Sequence, residues 1–416
     1  MTRRGESAIF CARSSVSDDM AWQAFSRGPE PRITTGEPMS STRIQTKMSG
    51  VPAYIQTLPL YVAGRSEQSV AREYGLSRIV KLASNENPLG CSPRVAEALA
   101  DMASRCGASL SRYPESDARD LRVELGRHHG VSPDQIAVTN GSHELIDLCA
   151  ALVLREGRAG LYSQYAFQAY PISIRARGAE AREIEARHHA HDVDAICAAL
   201  EADSGQLIRL VYLCNPNNPT GTLMAPSDVE RIVATAGTDR LVVLDEAYID
   251  YVDPSLRVDA MALVARYPHL VVARTFSKAY GLASLRIGYG VMSADLADMI
   301  ARIRPTFSVN AMAQRAASAA LADREFLDRT QSGNRAGIAQ IAGVLDASEI
   351  DYIPTHANFM AIRLPDASAT VQHLLEAGVV VRPLGAYRLD DFIRVTIGTE
   401  EENRIFLDAL LDKRNG

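Results

Sequence analysis

The stretch that decides the fold is YPHLVVARTFSKAYGLASLRIGYG, residues Tyr267–Gly290. Its apolar run, Leu270–Ala273, has the length and the valine content of a buried strand. The run is followed at once by hydroxyl side chains, a lysine, glycines and an arginine. A charged amine, that of Lys278, is thus expected at the mouth of a buried strand, and the ends of the other strands indicate why.

Composition limits the classes of protein that the chain can belong to. It has 416 residues, 47% of them apolar and 23% charged, with a formal net charge of −6. That length predicts two domains that share a substantial core. The mild negative charge gives no electrostatic reason to expect nucleic acid or an anionic membrane as a partner. No apolar segment approaches the roughly 20 residues of a spanning helix, so we expect a soluble protein.

The cysteines and histidines suggest neither a disulfide framework nor a metal site. Six cysteines are scattered along the chain without metal-like spacing, which is typical of reduced thiols in a cytoplasmic protein. The histidine groups at His128–His129 and His188–His191 lack cysteine or carboxylate partners at ligand spacing. We therefore predict no metal.

The first part of the chain differs from the rest. Residues 1–50 are rich in Ser, Thr, Arg and Gly and lack an apolar period, which predicts a disordered tail. An upstream start codon that is never used is the alternative, whereas the acidic residues disfavour a transit peptide. We expect residues 51–90 to form an N-terminal arm, 91–305 a large domain and 306–416 a small C-terminal domain.

After the tail, short apolar runs alternate with helical stretches. The predicted strands of the large domain are Gln135–Val138, Leu207–Leu213, Leu241–Leu244 and Leu270–Ala273. The predicted helices include Glu144–Leu154, Asp192–Glu201 and Ser227–Ala236. This alternation favours an α/β fold with a mainly parallel sheet that helices cover on both faces. The smaller α/β domain is predicted from a helix and three strands, at Ala311–Leu321, Phe359–Leu364, Val379–Val381 and Ile393–Thr396.

Four predicted strands end in polar residues. The sequences at these ends are TNGSHE from Thr139, CNPNNPTG from Cys214, DEAY from Asp245 and RTFSK from Arg274. Ligands of parallel α/β sheets gather at the carboxyl ends of the strands, where the loops converge. We therefore expect all four ends to build a single site.

The first and last of these ends are suited to an anion. A glycine turn at Asn140–Gly141 leads into a helix, whose first backbone N–H groups are free to bind a phosphate. Taken alone, such a helix start is more often an ordinary cap. Hydroxyl groups and a bidentate positive charge could complete the phosphate site, from Thr275, Ser277 and Arg286.

The other groups suit a cationic ring and an aldehyde. Asp245 directly follows four apolar residues, so its carboxylate is expected to be buried and to need a cationic partner such as a protonated ring nitrogen. A helix cap or an internal ion pair is the alternative. Desolvation and the nearby Arg286 are expected to lower the pKa of Lys278 and free its amine for a Schiff base. Together these are the contacts that pyridoxal phosphate requires.

At these residues the chain resembles the fold-type-I pyridoxal-phosphate aminotransferases, and within them the histidinol-phosphate aminotransferase branch. The resemblance runs from about Tyr61 to Leu411. It implies an aspartate-aminotransferase-like fold, a pyridoxal phosphate cofactor and a homodimer with shared active sites. The motifs that carry it are KLASNENPLG (Lys81–Gly90), SRYPES (Ser111–Ser116), NPNNPTG (Asn215–Gly221), DEAY (Asp245–Tyr248), TFSKAYGLASLRIGY (Thr275–Tyr289) and IRVTIGT (Ile393–Thr399).

The resemblance implies roles around the cofactor ring. Lys278 matches the lysine that binds the cofactor aldehyde and later moves a proton, and Asp245 matches the partner of the pyridine nitrogen. Tyr248 and Asn218 match the groups that hydrogen-bond the ring oxygen O3′. Tyr165 matches the aromatic residue that stacks on the ring, although a core tyrosine is an equally good interpretation.

It also implies how the cofactor phosphate and the substrate are held. Tyr113 matches a tyrosine that reaches the cofactor phosphate from the partner subunit. Arg394 and Arg382 match arginines that grip the anionic end of the substrate, and two arginines suit a phosphate dianion better than a carboxylate. Tyr61 and Asn85 match residues that close over the substrate. The remaining phosphate contacts are implied at Gly141, Ser142, His143, Thr275, Ser277 and Arg286.

Three positions depart from the resemblance, one of them by the small change of ASLR for the commoner AGLR at Ala283–Arg286, beside the phosphate site. His143 stands where a smaller polar residue is common, but the backbone N–H that would bind phosphate is kept. Arg388 stands where a small residue is common, and could either add positive charge at the substrate mouth or point into solvent.

The main hypothesis is a ping-pong transaminase of histidine biosynthesis that converts histidinol phosphate and 2-oxoglutarate to imidazole acetol phosphate and glutamate. The alternatives are an aromatic amino-acid aminotransferase, a threonine-phosphate decarboxylase and a non-catalytic pyridoxal-phosphate-binding regulator. A regulator is disfavoured because the first ~50 residues are too short and aperiodic for a helix-turn-helix unit. A nicotinamide dehydrogenase is disfavoured because no strand is followed by GxGxxG and a later acidic residue.

Overall fold

The structure is a computed structural model that describes residues 50–60, 64–104 and 111–415. The predicted tail, apart from Gly50, lies outside the described residues. The chain from Val51 onward forms one unit. None of the helices in the described ranges has the length and apolar character needed to cross a membrane.

The helices and strands are numbered here in chain order. The helices are α1 Ala53–Gln56, α2 Glu67–Tyr74, α3 Pro93–Ser104, α4 Arg119–His129, α5 Ser142–Val153, α6 Ala169–Arg175, α7 Val193–Glu201, α8 Pro226–Ala236, α9 Ala260–Arg266, α10 Ala294–Ile303, α11 Ala311–Leu321, α12 Arg324–Ala347, α13 Ala367–Glu376 and α14 Glu400–Asn415. The strands are β1 Val80–Lys81, β2 Ile136–Thr139, β3 Ala159–Ser163, β4 Glu180–Ile184, β5 Ile208–Cys214, β6 Leu241–Asp245, β7 Leu270–Thr275, β8 Gly288–Val291, β9 Tyr352–Ile353, β10 Phe359–Arg363, β11 Val379–Val380, β12 Arg382–Pro383 and β13 Phe392–Thr396.

A mainly parallel sheet forms the larger part of the fold. Its seven strands run in the order β2-β8-β7-β6-β5-β3-β4. Strands β7, β6, β5, β3 and β4 are parallel to their neighbours in that series, and β8 is antiparallel to both β7 and β2. The predicted α/β fold with a mainly parallel sheet is confirmed.

Helices cover this sheet on both faces. Because successive side chains of a strand point to opposite faces, β6 sends Val242 and Leu244 into one core and Val243 into the other. Helices α4, α7, α8 and α9 contribute to the first core, and α5, α6 and α10 to the second. Burial on both faces explains why the predicted strands read as continuous apolar runs.

A second sheet is antiparallel and has its own core. Its four strands run in the order β12-β13-β10-β9, and its apolar face packs with residues of α12, α13 and α14. The short strand β1 pairs in parallel with β11 beside this sheet. The division of the chain into an arm, a large domain and a small domain stays a prediction.

The strand register brings the polar ends of the large sheet together. Cys214 of β5 lies opposite Asp245 of β6, and Asp245 lies opposite Ala273 of β7. At the same edge, Gly288 of β8 lies between Thr275 of β7 and Thr139 of β2. All four polar ends therefore meet at one edge of the sheet.

A close backbone contact holds the loop after β7 in place. Gly281 has a φ of +71°, and a Cβ on it would lie 1.8 Å from the carbonyl oxygen of Gly90.

We expect Gly281→Ala to lower the free energy of unfolding by about 3 kcal/mol or more, since the loop must move as well as adopt a strained conformation. The midpoint of unfolding in urea measures this loss.

Gly130 provides the matched control. It has a similar φ of +68°, but nothing lies within 4 Å of the position of a Cβ. Gly130→Ala should therefore cost only about 1 kcal/mol, the conformational part alone. Equal losses in the two variants would contradict the role given to the contact with Gly90.

Candidate active site

A cavity of about 280 Å³ lies at this edge of the large sheet. It receives residues from the ends of β2, β5, β6 and β7, and also from β12, β13 and the segment after β1. The structure thus brings most of the predicted site residues together; those lining the cavity are Asn85, Ser142, His143, Asn218, Asp245, Tyr248, Thr275, Ser277, Lys278, Arg286, Arg382 and Arg394.

Three predicted residues do not line this cavity. Gly141 lies beside it, and a Cβ there would come within 2.5 Å of Arg286 Nη2. Tyr113 is 82% exposed and stacks on Phe307, with 4.6 Å between ring centroids. Tyr165 packs elsewhere, as described next. A fourth prediction, Tyr61, lies outside the described residues.

Phe167 lines the cavity together with Tyr248 and Tyr387, and the predicted Tyr165 does not, which corrects that assignment. Phe167 lines the cavity, whereas Tyr165 packs against a cluster that includes Leu384 and Phe392. The physical reason is the turn after β3, where the backbone takes a φ of 57° at Tyr165. That left-handed conformation directs the tyrosine toward the second sheet and leaves the cavity wall to the residue two positions later.

An anion site is built where α5 begins. Gly141 precedes the helix with a φ of 79°, and no side chain caps the first turn that starts at Ser142. A Cβ on Gly288 would lie 2.6 Å from the backbone nitrogen of Ser142, so the glycines let strand, helix and guanidinium approach closely. Arg286 Nη1 donates to Ser277 Oγ at 3.4 Å. Backbone donors, hydroxyl groups and a guanidinium therefore converge as a phosphate would require.

Lys278 presents its amine to the cavity. Its Nζ donates to the carbonyl oxygen of Ser84 at 3.0 Å and lies 5.7 Å from the centre of the Tyr248 ring. Desolvation, reinforced by the positive charges of Arg394 and Arg286, lowers the pKa of Lys278 to about 7. A large share of the amine is therefore neutral, and able to act as a nucleophile or base, near neutral pH.

Asp245 is the buried acid of the site, with 3% of its surface exposed. Its Oδ2 accepts a hydrogen bond from the hydroxyl of Tyr170 at 2.7 Å, and its Oδ1 accepts one from the backbone N–H of Ala247 at 3.1 Å. Burial raises the pKa of Asp245, while these two hydrogen bonds and the charges of His143 and Lys278 act in the opposite direction. The donors favour the carboxylate form, which a protonated ring nitrogen would complete.

The other side of the cavity is rich in positive charge. Arg382 and Arg394 lie directly opposite each other on the antiparallel strands β12 and β13. Arg394 is buried and its Nη1 donates to Asn218 Oδ1 at 2.6 Å. Asn85 Nδ2 donates to the Tyr248 hydroxyl at 2.9 Å. Two guanidinium groups thus face one small volume, as the binding of a second anion would require.

Sequence reasoning missed several groups at the site. Phe167, Cys214 and Tyr387 line the cavity, and Tyr170 stands behind Asp245. The NPNNPTG and DEAY motifs gave no signal for Tyr170, because it lies on α6 in a stretch that reads as an ordinary apolar helix. The question about Arg388 is answered by its ion pair with Glu183, since it does not line the cavity.

These groups fit pyridoxal phosphate. The anion site at α5 suits its phosphate, the carboxylate of Asp245 its ring nitrogen, and the amine of Lys278 its aldehyde. Phe167 offers an aromatic face for the ring, and Tyr248 a hydroxyl for the ring oxygen. Among the residues that the structure describes, no group of three or more His, Cys, Asp or Glu could hold a metal ion.

Comparison with known proteins agrees with this geometry. The chain belongs to the aminotransferase class I and II family, whose model matches residues 77–410, and pyridoxal phosphate is its cofactor. Its fold is that of an aspartate aminotransferase from Thermus thermophilus solved with maleate, to which it is 20% identical with a TM-score of 0.73 over 87% of this chain and 99% of that one.

More similar proteins share one name. "Histidinol-phosphate aminotransferase 2" of Nitrosospira multiformis is 41% identical over 362 residues, which are 86% of this chain and 90% of that protein. The histidinol-phosphate aminotransferase of Sinorhizobium meliloti, whose crystal structure contains pyridoxal-5'-phosphate, is 28% identical with a TM-score of 0.80, covering 88% of this chain and 98% of that one. The predicted resemblance to this branch is confirmed.

The lowered pKa of Lys278 can be measured in the cofactor-free protein. We expect the rate at which Lys278 is trapped by a small aldehyde and borohydride to rise with pH through a midpoint near 7, because only the neutral amine reacts. Peptide mass spectrometry after trapping at a series of pH values locates the modified residue. N-acetyl-lysine amide, which titrates near pH 10, is the control, and a midpoint for Lys278 that matches it would contradict the electrostatics described here.

Proposed function

We propose that the chain is a pyridoxal-phosphate-dependent transaminase that moves an amino group from histidinol phosphate to 2-oxoglutarate, giving imidazole acetol phosphate and glutamate. One observation carries the proposal: a single cavity holds a Lys278 amine with a pKa near 7, a buried carboxylate and two separate groups of anion-binding side chains. One anion group suits the cofactor phosphate and the other suits a substrate that is itself an anion. The names of the relatives support the same substrate.

The chain's own residues account for the chemistry. When bound, pyridoxal phosphate supplies an aldehyde carbon and a ring that withdraws electrons. Lys278 would hold the aldehyde, and its Nζ, when free, would be the base that removes and returns a proton of the substrate. Asp245 keeps a proton on the ring nitrogen, and Tyr248 and Asn218 orient the ring oxygen. Burial of these groups keeps water away from the reacting atoms.

Specificity is assigned to the arginine pair of β12 and β13. A phosphate monoester carries more charge than a carboxylate, and two guanidinium groups facing one volume match that difference. Arg394 is buried and held by Asn218, so it is the fixed member that serves either substrate of a ping-pong cycle. Arg382 is the member whose contribution should depend on the phosphate.

The proposed assembly is a homodimer in the cytoplasm. Tyr113 supports a dimer, because its ring is 82% exposed and stacked on Phe307 instead of buried in the cavity of its own chain. In the arrangement that the resemblance implies, this tyrosine reaches the cofactor phosphate of the partner subunit. An exposed pair of aromatic rings is also typical of the centre of a protein interface.

Lys278 is required for turnover. We expect Lys278→Ala to lower kcat by about 10³-fold or more, because the amine is both the attachment point and the base. Lys278→Arg should fare no better, since a guanidinium keeps the charge but stays protonated. Lys413→Ala is the control: Lys413 Nζ donates to Thr370 Oγ1 on another part of the surface. Full transamination by either Lys278 variant would refute the assignment.

The substrate is tested with purified protein and 2-oxoglutarate against histidinol phosphate, phenylalanine, tyrosine and threonine phosphate in parallel. We expect Arg382→Ala to lower kcat/KM for histidinol phosphate roughly 30-fold and for phenylalanine no more than about threefold, the difference being one charged hydrogen-bonded contact. Arg388→Ala is the matched control, because Arg388 pairs with Glu183 outside the cavity. Equal losses for both substrates in Arg382→Ala would contradict a phosphate grip.

A further inference from the structure

A phenol hydroxyl lies directly behind the acid of the site. Tyr170, on α6, is fully buried, with 0% of its surface exposed. Its hydroxyl lies 2.7 Å from Oδ2 of Asp245, the oxygen that the backbone N–H of Ala247 does not use. Burial and the neighbouring Asp245 charge raise the pKa of Tyr170. The phenol is therefore protonated throughout the working pH range and donates to the carboxylate.

The position of this hydroxyl is fixed by the packing of its ring. Tyr170 stacks on Tyr212, with centroids 4.6 Å apart and an angle of 10° between planes. The ring of Phe167 meets it edge-on, with 5.8 Å between centroids. Tyr212 is itself held by a hydrogen bond from its hydroxyl to the carbonyl oxygen of Ile146 at 2.8 Å. The donor therefore cannot leave Asp245 without a rearrangement of the core.

The other groups near Asp245 come from several elements. Lys278 follows β7, His143 lies in the first turn of α5, and both favour the carboxylate. Cys214 is the neighbour on β5, and burial together with Asp245 raises the pKa of its thiol. Among the residues that the structure describes, Tyr170 and Ala247 are the hydrogen-bond donors to the carboxylate, and of the two only Tyr170 donates from a side chain that mutation can alter.

We propose that Tyr170 is a positioning residue that keeps the shared proton on the ring nitrogen of pyridoxal phosphate by donating a hydrogen bond to Asp245. This inference rests on the proposed function. With pyridoxal phosphate bound, the Asp245 carboxylate and the ring nitrogen would share one proton. The Tyr170 hydrogen bond to Oδ2 stabilises the charged acid, and would so leave the proton on nitrogen, where it increases electron withdrawal by the ring.

Removal of the phenol hydroxyl relocates that proton without changing the number of protons. The carboxylate of Asp245 becomes the more basic partner and takes the proton, so that the buried pair becomes a neutral acid and a neutral ring. A cationic ring lowers the pKa of the nitrogen that would join Lys278 to the cofactor. A neutral ring lowers that pKa by a smaller amount. The pH at which the absorbance of the bound cofactor changes should therefore rise.

The test is the pH titration of cofactor absorbance in Tyr170→Phe. We expect the midpoint to rise by about one pH unit and kcat to fall roughly tenfold, the size of one hydrogen bond to a charged group. Replacement of Tyr170 by 3-fluorotyrosine, a stronger donor, should move the midpoint the opposite way. Tyr212→Phe is the matched control, because it removes an equally buried hydroxyl that bonds to Ile146 and not to Asp245.

A cofactor analogue with carbon in place of the ring nitrogen separates electrostatics from packing. With this analogue no proton can be shared, so the difference between wild type and Tyr170→Phe should disappear. The proposal is overturned if Tyr170→Phe titrates as Tyr212→Phe does, or if its shift persists with the analogue. A wild-type protein that does not bind pyridoxal phosphate would instead overturn the proposed function, and with it this inference.

Discussion

The burial of Asp245 is the constraint on which the site depends. A carboxylate with 3% of its surface exposed is unfavourable unless donors and positive charge surround it. The structure supplies Tyr170 and Ala247 as donors and Lys278 as a nearby cation. Desolvation and the positive charges of Arg394 and Arg286 lower the pKa of Lys278, and the charge of Asp245 acts in the opposite direction. Donors and positive charge therefore surround the Asp245 carboxylate, and a cofactor with a basic ring nitrogen completes the balance.

The fold creates this constraint through the alternation of β6. Asp245 ends the strand and faces the cavity, and the next residue, Glu246, turns away from it. Glu246 is buried beneath the sheet and pairs with Arg274 of β7 at 2.7 Å. Two adjacent acids thus have different surroundings: Glu246 has a guanidinium partner, whereas Asp245 has hydrogen-bond donors and the nearby His143 and Lys278. The acid without a guanidinium partner is the one left for the ligand.

Much of this could be predicted from sequence because the determinants are local. Strands buried on both faces read as apolar runs, and polar residues that follow four of them indicated the shared edge. In the large sheet β3, β4 and β8 were not predicted: β3 and β8 contain glycines that weaken strand propensity, and β4 is partly exposed. The conformation of the turn after β3, which decided between Tyr165 and Phe167, is likewise not encoded in apolar periodicity.

Contacts between elements that are distant in the sequence could not be predicted from local sequence patterns. Tyr170 and Asp245 are 75 residues apart, and Arg382 meets Arg394 only through strand pairing.

A crystal structure of the protein with pyridoxal phosphate tests the central claim most directly. We expect its phosphate on Ser142 and Arg286 and its ring nitrogen within hydrogen-bond distance of Asp245. A ring nitrogen directed away from that carboxylate would contradict the account.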